Sequence, residues 1–302
     1  MELLSQPQQH SFGSHVVVSV GDLVDGVRVA FVELARENKL NGLTLDMLQG
    51  LRDAARFLSR DRELRGVILT GRGTSFTAGL DFAAALKTPS SIAKAFVPGL
   101  HGTNLFQECC LAWRRVPVPV VAVIDGHCFG GGVQLALGAD FRITTEQARW
   151  SVLEAKWGLI PDMSGVVTLV EQVGLDRAKW LAMSGAEFSG SEAVAYGLAT
   201  EATETAEDAM ARAIDMLLEL ATRSPDQAAA AKRLFSYQRR SARATLRAER
   251  WNQIWLFTKE NTVRARKIAQ KRAKAVADSG GGLGAGFARR GQRIGFGRSK
   301  RG

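Results

Sequence analysis

An α/β core followed by an all-helical C-terminal quarter is the fold class predicted by three observations. Apolar runs rich in β-branched residues alternate with helix-period segments between residues 15 and 200. From about residue 205 nearly every segment carries helical patterning. A chain of 302 residues with 46% hydrophobic content is long enough for one large core, or for a main domain with a smaller one appended.

The elements follow in order. Residues 1–14 read as an N-terminal extension. "HVVVSVGDLVDGVRVAFVEL" reads as two strands around a Gly/Asp turn, a hairpin signal. From Thr44, an N-cap, the residues Leu45, Leu48, Leu51, Ala55 and Leu58 fall on one helical face. "GVILTG" is a short buried strand, and "GRGTSFTAGLDF" is a glycine-containing loop running into another helix. Residues 91–115 read as helical, ending before the buried strand in "VPVPVVAVID". The glycine loop of "GHCFGGGVQLALGAD" then opens a further helix. "FRITTEQARWSVLEAKWGLIPDMSG" offers short extended pieces and a loop, since Pro161 cannot sit inside a helix. The α/β core is placed at 15–204 and a helical region at 205–275. Residues 276–302, with nine glycines and six Lys/Arg, are expected to be disordered. No internal repeat recurs at a fixed period.

Composition narrows the class. No run approaches 18 apolar residues and the first residues lack a basic stretch followed by an apolar one, so neither a membrane span nor a secretory signal is expected, and a cytoplasmic location is the default. Cys109, Cys110 and Cys128 suit a reducing compartment, and no Cys/His cluster has zinc spacing, so no metal is expected. Charge is uneven. Residues 232–302 contain 20 Lys/Arg and 3 Asp/Glu, a net +17 within a whole-chain +10, which leaves −7 for the rest. Such a block serves an anionic partner, nucleic acid, membrane surface or phosphorylated cofactor among them, or is a solvated helix face with a flexible tail.

The glycine loop at 130–132 is first a candidate phosphate cradle. It fails that test, because Leu135 stands where Gly-x-Gly-x-x-Gly needs its third glycine and no Gly-Lys-Ser/Thr follows. What remains is a helix N-terminus with unpaired backbone N–H groups and no Cβ to hold a ligand away. Such donors stabilise a developing oxyanion by about 2.7–4 kcal/mol each. The loop "SFTAGLDF" offers a second donor of the same kind.

With "ENKLNGLT", "SFTAGLDF", "GHCFGGGVQLALGADFRI" and "EAKWGLIPD" in this order over residues 15–260, the chain resembles the crotonase superfamily, the enoyl-CoA hydratase/isomerase family. The resemblance implies a crotonase-like spiral of ββα units with a C-terminal helical oligomerisation region that packs trimers, or dimers of trimers. It implies oxyanion donors at the backbone N–H groups of Leu80 and Gly131, with Ala78, Gly79 and Gly130 also lining the thioester. An acyl-CoA is then the substrate, and no separate cofactor is needed. Asp81 is expected to organise its loop, and His127 to pack.

Where the family's hydratases carry two glutamates, Glu154 matches one position and Gln134 occupies the other. An amide orients water or a carbonyl but cannot accept a proton at neutral pH. Asp162, eight residues after Glu154, resembles the dienoyl-CoA isomerase branch, which also places an aspartate where Gln134 stands. Double-bond isomerisation is therefore expected, with Glu154 as base and acid, Asp162 assisting and Gln134 positioning. The alternatives are hydration of a trans-2-enoyl-CoA in fatty-acid oxidation and, in another class, a non-catalytic protein binding acyl-CoA or, through the basic C-terminus, RNA.

Overall fold

The computed structural model describes residues 5–23, 26–81, 89–99, 102–236 and 242–277. All but the first two residues of the expected disordered tail lie outside these. The described chain divides into two compact units, one ending at Leu217 and the other beginning at Leu218.

The first unit is built on a seven-stranded sheet. Its hairpin of β2 (Val16–Asp22) and β3 (Arg28–Leu34) pairs Val16 with Leu34, Val18 with Val32 and Val20 with Ala30. These six residues are buried, and Ser19, Val29 and Phe31 beside them are buried as well, so the β-branched runs read from the sequence are core strands. The stretch expected as an extension supplies an edge strand, β1 (Ser5–Phe12), antiparallel to β2.

Beyond β3 the sheet is parallel: β4 (Gly66–Gly71), β5 (Val120–Ile124), β7 (Phe141–Thr145) and β10 (Glu201–Thr203) follow in that spatial order. Every residue of β5 is buried, which is why it reads as an unbroken apolar run without alternation. A second sheet joins β6 (His127–Phe129), β8 (Arg149–Ser151) and β9 (Glu187–Ser189).

Helix α1 (Leu45–Leu58) starts at Thr44, whose hydroxyl accepts from Met47 N at 3.2 Å. Leu48, Leu51, Ala55 and Leu58 are buried and Leu45 is half-buried, as the spacing requires. The single helix expected over 91–115 is instead two: α2 (Pro89–Ala95) and α3 (Leu105–Arg115). Pro98 lacks an amide hydrogen, Gly102 takes φ +70°, and Asn104 closes a capping box with Gln107, so the chain stops and restarts. Next come α4 (Gly131–Ala136), α5 (Gly165–Val173), α6 (Leu175–Ser184) and α7 (Gly190–Tyr196).

Helix α8 (Ala206–Ala221) leads into the second unit, which holds α9 (Pro225–Phe235), α10 (Ala242–Phe257) and α11 (Glu260–Ala277). Within it, Ser224 caps α9 and Asn261 donates to the buried Asp226 carboxylate at 2.8 Å. No described helix is long and apolar enough to cross a membrane.

Candidate active site

Two glycine-bearing loops meet above β4 and β5. The first, around "SFTAGLD", is sewn to the segment before α1: Ala78 N donates to Leu40 O, Leu43 N to Gly79 O, and Asp81 N to Leu43 O. The Asp81 carboxylate pairs with Arg36 Nη1 at 2.8 Å, and the same nitrogen donates to Gly42 O. Asp81 thus fastens its loop, as expected.

On its other side the loop pairs with β6, where Thr77 N donates to His127 O and Phe129 N to Thr77 O. Gly79 lies between these edges at φ +89°, and a Cβ there would stand 2.6 Å from Phe129 O and 3.6 Å from Gly131 N. Only glycine lets the two loops come this close. Neither Leu80 N–H nor Gly131 N–H donates to a protein acceptor among the described residues.

Glu154 sits in a 3₁₀ turn, Leu153–Trp157, that ends on Gly158 in the left-handed region. Its side chain is 8% exposed, Oε1 accepts from Gln134 Nε2 at 2.6 Å, and Oε2 has no partner. Burial raises the Glu154 pKa and the Asp162 charge adds to this, while hydrogen bonds from its own backbone and from Gln134 pull the other way.

Gln134, fully buried on α4, is held at its other end too. Its Oε1 accepts from Met163 N at 2.7 Å and Gly165 N at 2.8 Å. The amide therefore ties Glu154 to the turn entering α5, where Ser164 takes φ +76°.

A cavity of about 430 Å³ opens in front of these groups. Ala78, Gly79, Leu80, Gly130, Gly131, Glu154 and Asp162 all line it, so seven of the eight site residues picked from the sequence converge, and the eighth, Gln134, stands behind Glu154. Asp162 is exposed by surface area, yet enough protein surrounds its carboxyl for burial to raise its pKa.

His127 lies aside from this cavity. Its Nδ1 lies 2.9 Å from Ser75 Oγ and its Nε2 3.4 Å from Arg149 Nη1, and its ring meets Phe129 edge-on at 5.1 Å, so it packs, as expected. Ile92, Phe96 and Phe106 fall within residues 82–110, a stretch of mixed composition expected from the sequence to supply pocket walls, whereas Trp157, Ile160 and Met163 have as local signal the apolar content of "KWGLIPDM" around the acids.

Two backbone N–H groups without a protein acceptor among the described residues, Leu80 and Gly131, thus line one cavity with a buried carboxyl, Glu154. The enoyl-CoA hydratase/isomerase family model matches residues 26–273, and the chain belongs to that family. Over 167 residues it is 32% identical to enoyl-CoA hydratase EchA19 of Mycobacterium tuberculosis, covering 55% of this chain and 62% of that protein. The chain thus spans about three fifths of that relative's length. The short-chain-enoyl-CoA hydratase of Clostridium acetobutylicum is 31% identical over 181 residues, 60% of this chain and 67% of that one. Among solved structures, an enoyl-CoA hydratase from Thermoplasma volcanium superposes with a TM-score of 0.70 at 26% identity, covering 82% of this chain and 94% of that one. The enoyl-CoA hydratase from Bacillus anthracis, at 24% identity, shares the fold with a TM-score of 0.74 over 89% and 97% of the two chains.

Proposed function

We propose that the protein shifts the double bond of an enoyl-CoA, with Glu154 as the single proton carrier. Leu80 N–H and Gly131 N–H receive the thioester oxygen, whose developing charge they stabilise by about 2.7–4 kcal/mol each. Glu154 removes a proton from C2 of a 3-enoyl thioester, the electron pair spreads over the dienolate, and the same carboxyl returns the proton at C4. Substrate and product have the same atoms, so no water and no second acid is consumed. Asp162, in the same cavity, assists by holding Glu154's pKa up.

The observation that carries this reading is the state of Gln134. Its carbonyl is committed to two backbone N–H groups and its amine to Glu154, so it has no capacity to take a proton from water. Hydration is the second reading, favoured by the names of the similar proteins. Assembly into trimers, or dimers of trimers, is proposed alongside; Val166, Trp180 and Met183 on α5 and α6 are exposed and support a self-association face.

The test is turnover of trans-3-enoyl-CoA beside trans-2-enoyl-CoA. Conversion of the first is expected to exceed hydration of the second, and Glu154→Gln is expected to lower kcat for it by about 10³-fold, within the usual worth of a positioned acid or base. Rapid hydration by the wild type would replace this reading with the second.

A further inference from the structure

The cavity beside Glu154 is far larger than a short acyl group. A non-hydrogen atom takes up on the order of 30 Å³, the share of one water in the liquid, so about 430 Å³ holds roughly 14 such atoms. A butenoyl thioester brings four carbons, an oxygen and a sulfur, and would leave more than half of that space empty or wet. Empty apolar space forfeits contacts on the walls that face it.

Those walls are apolar. Ile92, Phe96 and Phe106 face the cavity from α2, its following loop and α3, and Trp157, Ile160 and Met163 from the segment that carries the acids. Phe96 and Phe106 stack obliquely with ring centroids 4.8 Å apart. Depth is graded along the walls: Phe106 is 3% exposed, Phe96 48% and Ile160 70%, so an apolar surface runs from the interior to the rim. Its described lining is mostly apolar, which suits the acyl end of the substrate better than the anionic phosphates of CoA.

We infer that this site takes a medium-length apolar acyl group, about eight to ten carbons long and closed off at Phe106, a preference that rests on the acyl-CoA reading above. A ten-carbon acyl group with its oxygen and sulfur supplies twelve non-hydrogen atoms, close to what the cavity holds. Phe106 is then the residue that sets chain length, and the exposed faces of Phe96 and Ile160 are the part of the wall a long chain covers.

The experiment is calorimetric binding of saturated acyl-CoAs from butanoyl to dodecanoyl, which neither isomerise nor add water, so its outcome is independent of the chemistry assigned. Burial of each methylene is expected to tighten binding about threefold up to ten carbons, giving at least about 100-fold between butanoyl- and decanoyl-CoA, with no further gain at twelve. Phe106→Trp, which narrows the buried end, is expected to remove most of the chain-length gain, read as the ratio of decanoyl- to butanoyl-CoA affinity within the variant; a ratio equal to the wild type's would overturn the role of Phe106. Equal binding of butanoyl- and decanoyl-CoA by the wild type would overturn the preference. A steep binding series without turnover of any enoyl-CoA would defeat the isomerase reading and leave this one standing. Absence of binding at every length would overturn both.

Discussion

Gln134 Nε2 donates to Glu154 Oε1 at 2.6 Å, and the same side chain's oxygen accepts from the backbone on either side of Ser164. One amide thus sets where the buried carboxyl points and holds the turn that follows Asp162. Gln134→Glu keeps an oxygen for Met163 N and Gly165 N but sets its other oxygen against Glu154. Two carboxylates that close cannot both ionise, and the hydrogen bond that lowers Glu154's pKa is lost. The expected outcome is that the rising limb of the pH–rate profile moves to higher pH. A limb left in place would mean that the amide does not act on Glu154.

Glu154 also links stability to pH. Its folded pKa is raised, chiefly by burial. Below the ordinary carboxylate range the group is neutral in both folded and unfolded chains and carries no penalty. As pH rises the unfolded chain ionises first, so stability is lost progressively until the folded pKa is passed, and is level beyond it. Glu154→Gln removes that loss, and its own carbonyl can accept from Gln134 Nε2. Melting temperatures are therefore expected to match wild type near pH 4 and to exceed it at pH 8. An equal or lower melting temperature at pH 8 would show that ionised Glu154 is not a stability cost.

The three thiols make a simpler prediction. Cys109, Cys110 and Cys128 are buried and unpaired in disulfides, and burial pushes the Cys110 and Cys128 thiols well above the ordinary range. The nucleophile is the thiolate, so native protein is expected to react with a thiol reagent at least about 10²-fold more slowly than denatured protein, which releases all three. Fast reaction of one thiol in the native state would mean that its surroundings open readily.

Much of this site was legible because its signals are local. The β2 and β3 hairpin shows as two apolar, β-branched runs around a Gly/Asp turn, α1 as a 3.6-period face behind Thr44, and the loops at Gly79 and Gly130 as glycines at strand-to-helix junctions. The break between α2 and α3 was missed because helical periodicity on both sides masks Pro98 and Gly102. That Gln134 positions a neighbour is readable from its amide, but which groups it holds is not, for a different reason. Its partners stand 20, 29 and 31 residues away, and two of them are backbone N–H groups on either side of Ser164, whose left-handed conformation a serine does not announce. Cavity walls share this property, since Phe106 and Ile160 face one space only after the chain has folded.

Gly79 offers the sharpest test of the paired loops. At φ +89° a side chain is strained, and its Cβ would press on Phe129 O at 2.6 Å, which no flexible side chain can relieve because the contact is backbone. Gly79→Ala must therefore push the loop carrying Leu80 N–H away from Gly131, or twist it. A shift of about 1 Å in one oxyanion donor is worth up to the full donor, about 10²–10³-fold in kcat. The expected result is a loss of that size in turnover with a modest rise in KM, and a stability loss of about 1–3 kcal/mol from the strained backbone. Near-normal turnover in a folded Gly79→Ala variant would remove Leu80 N–H from the chemistry and leave Gly131 to hold the thioester oxygen alone.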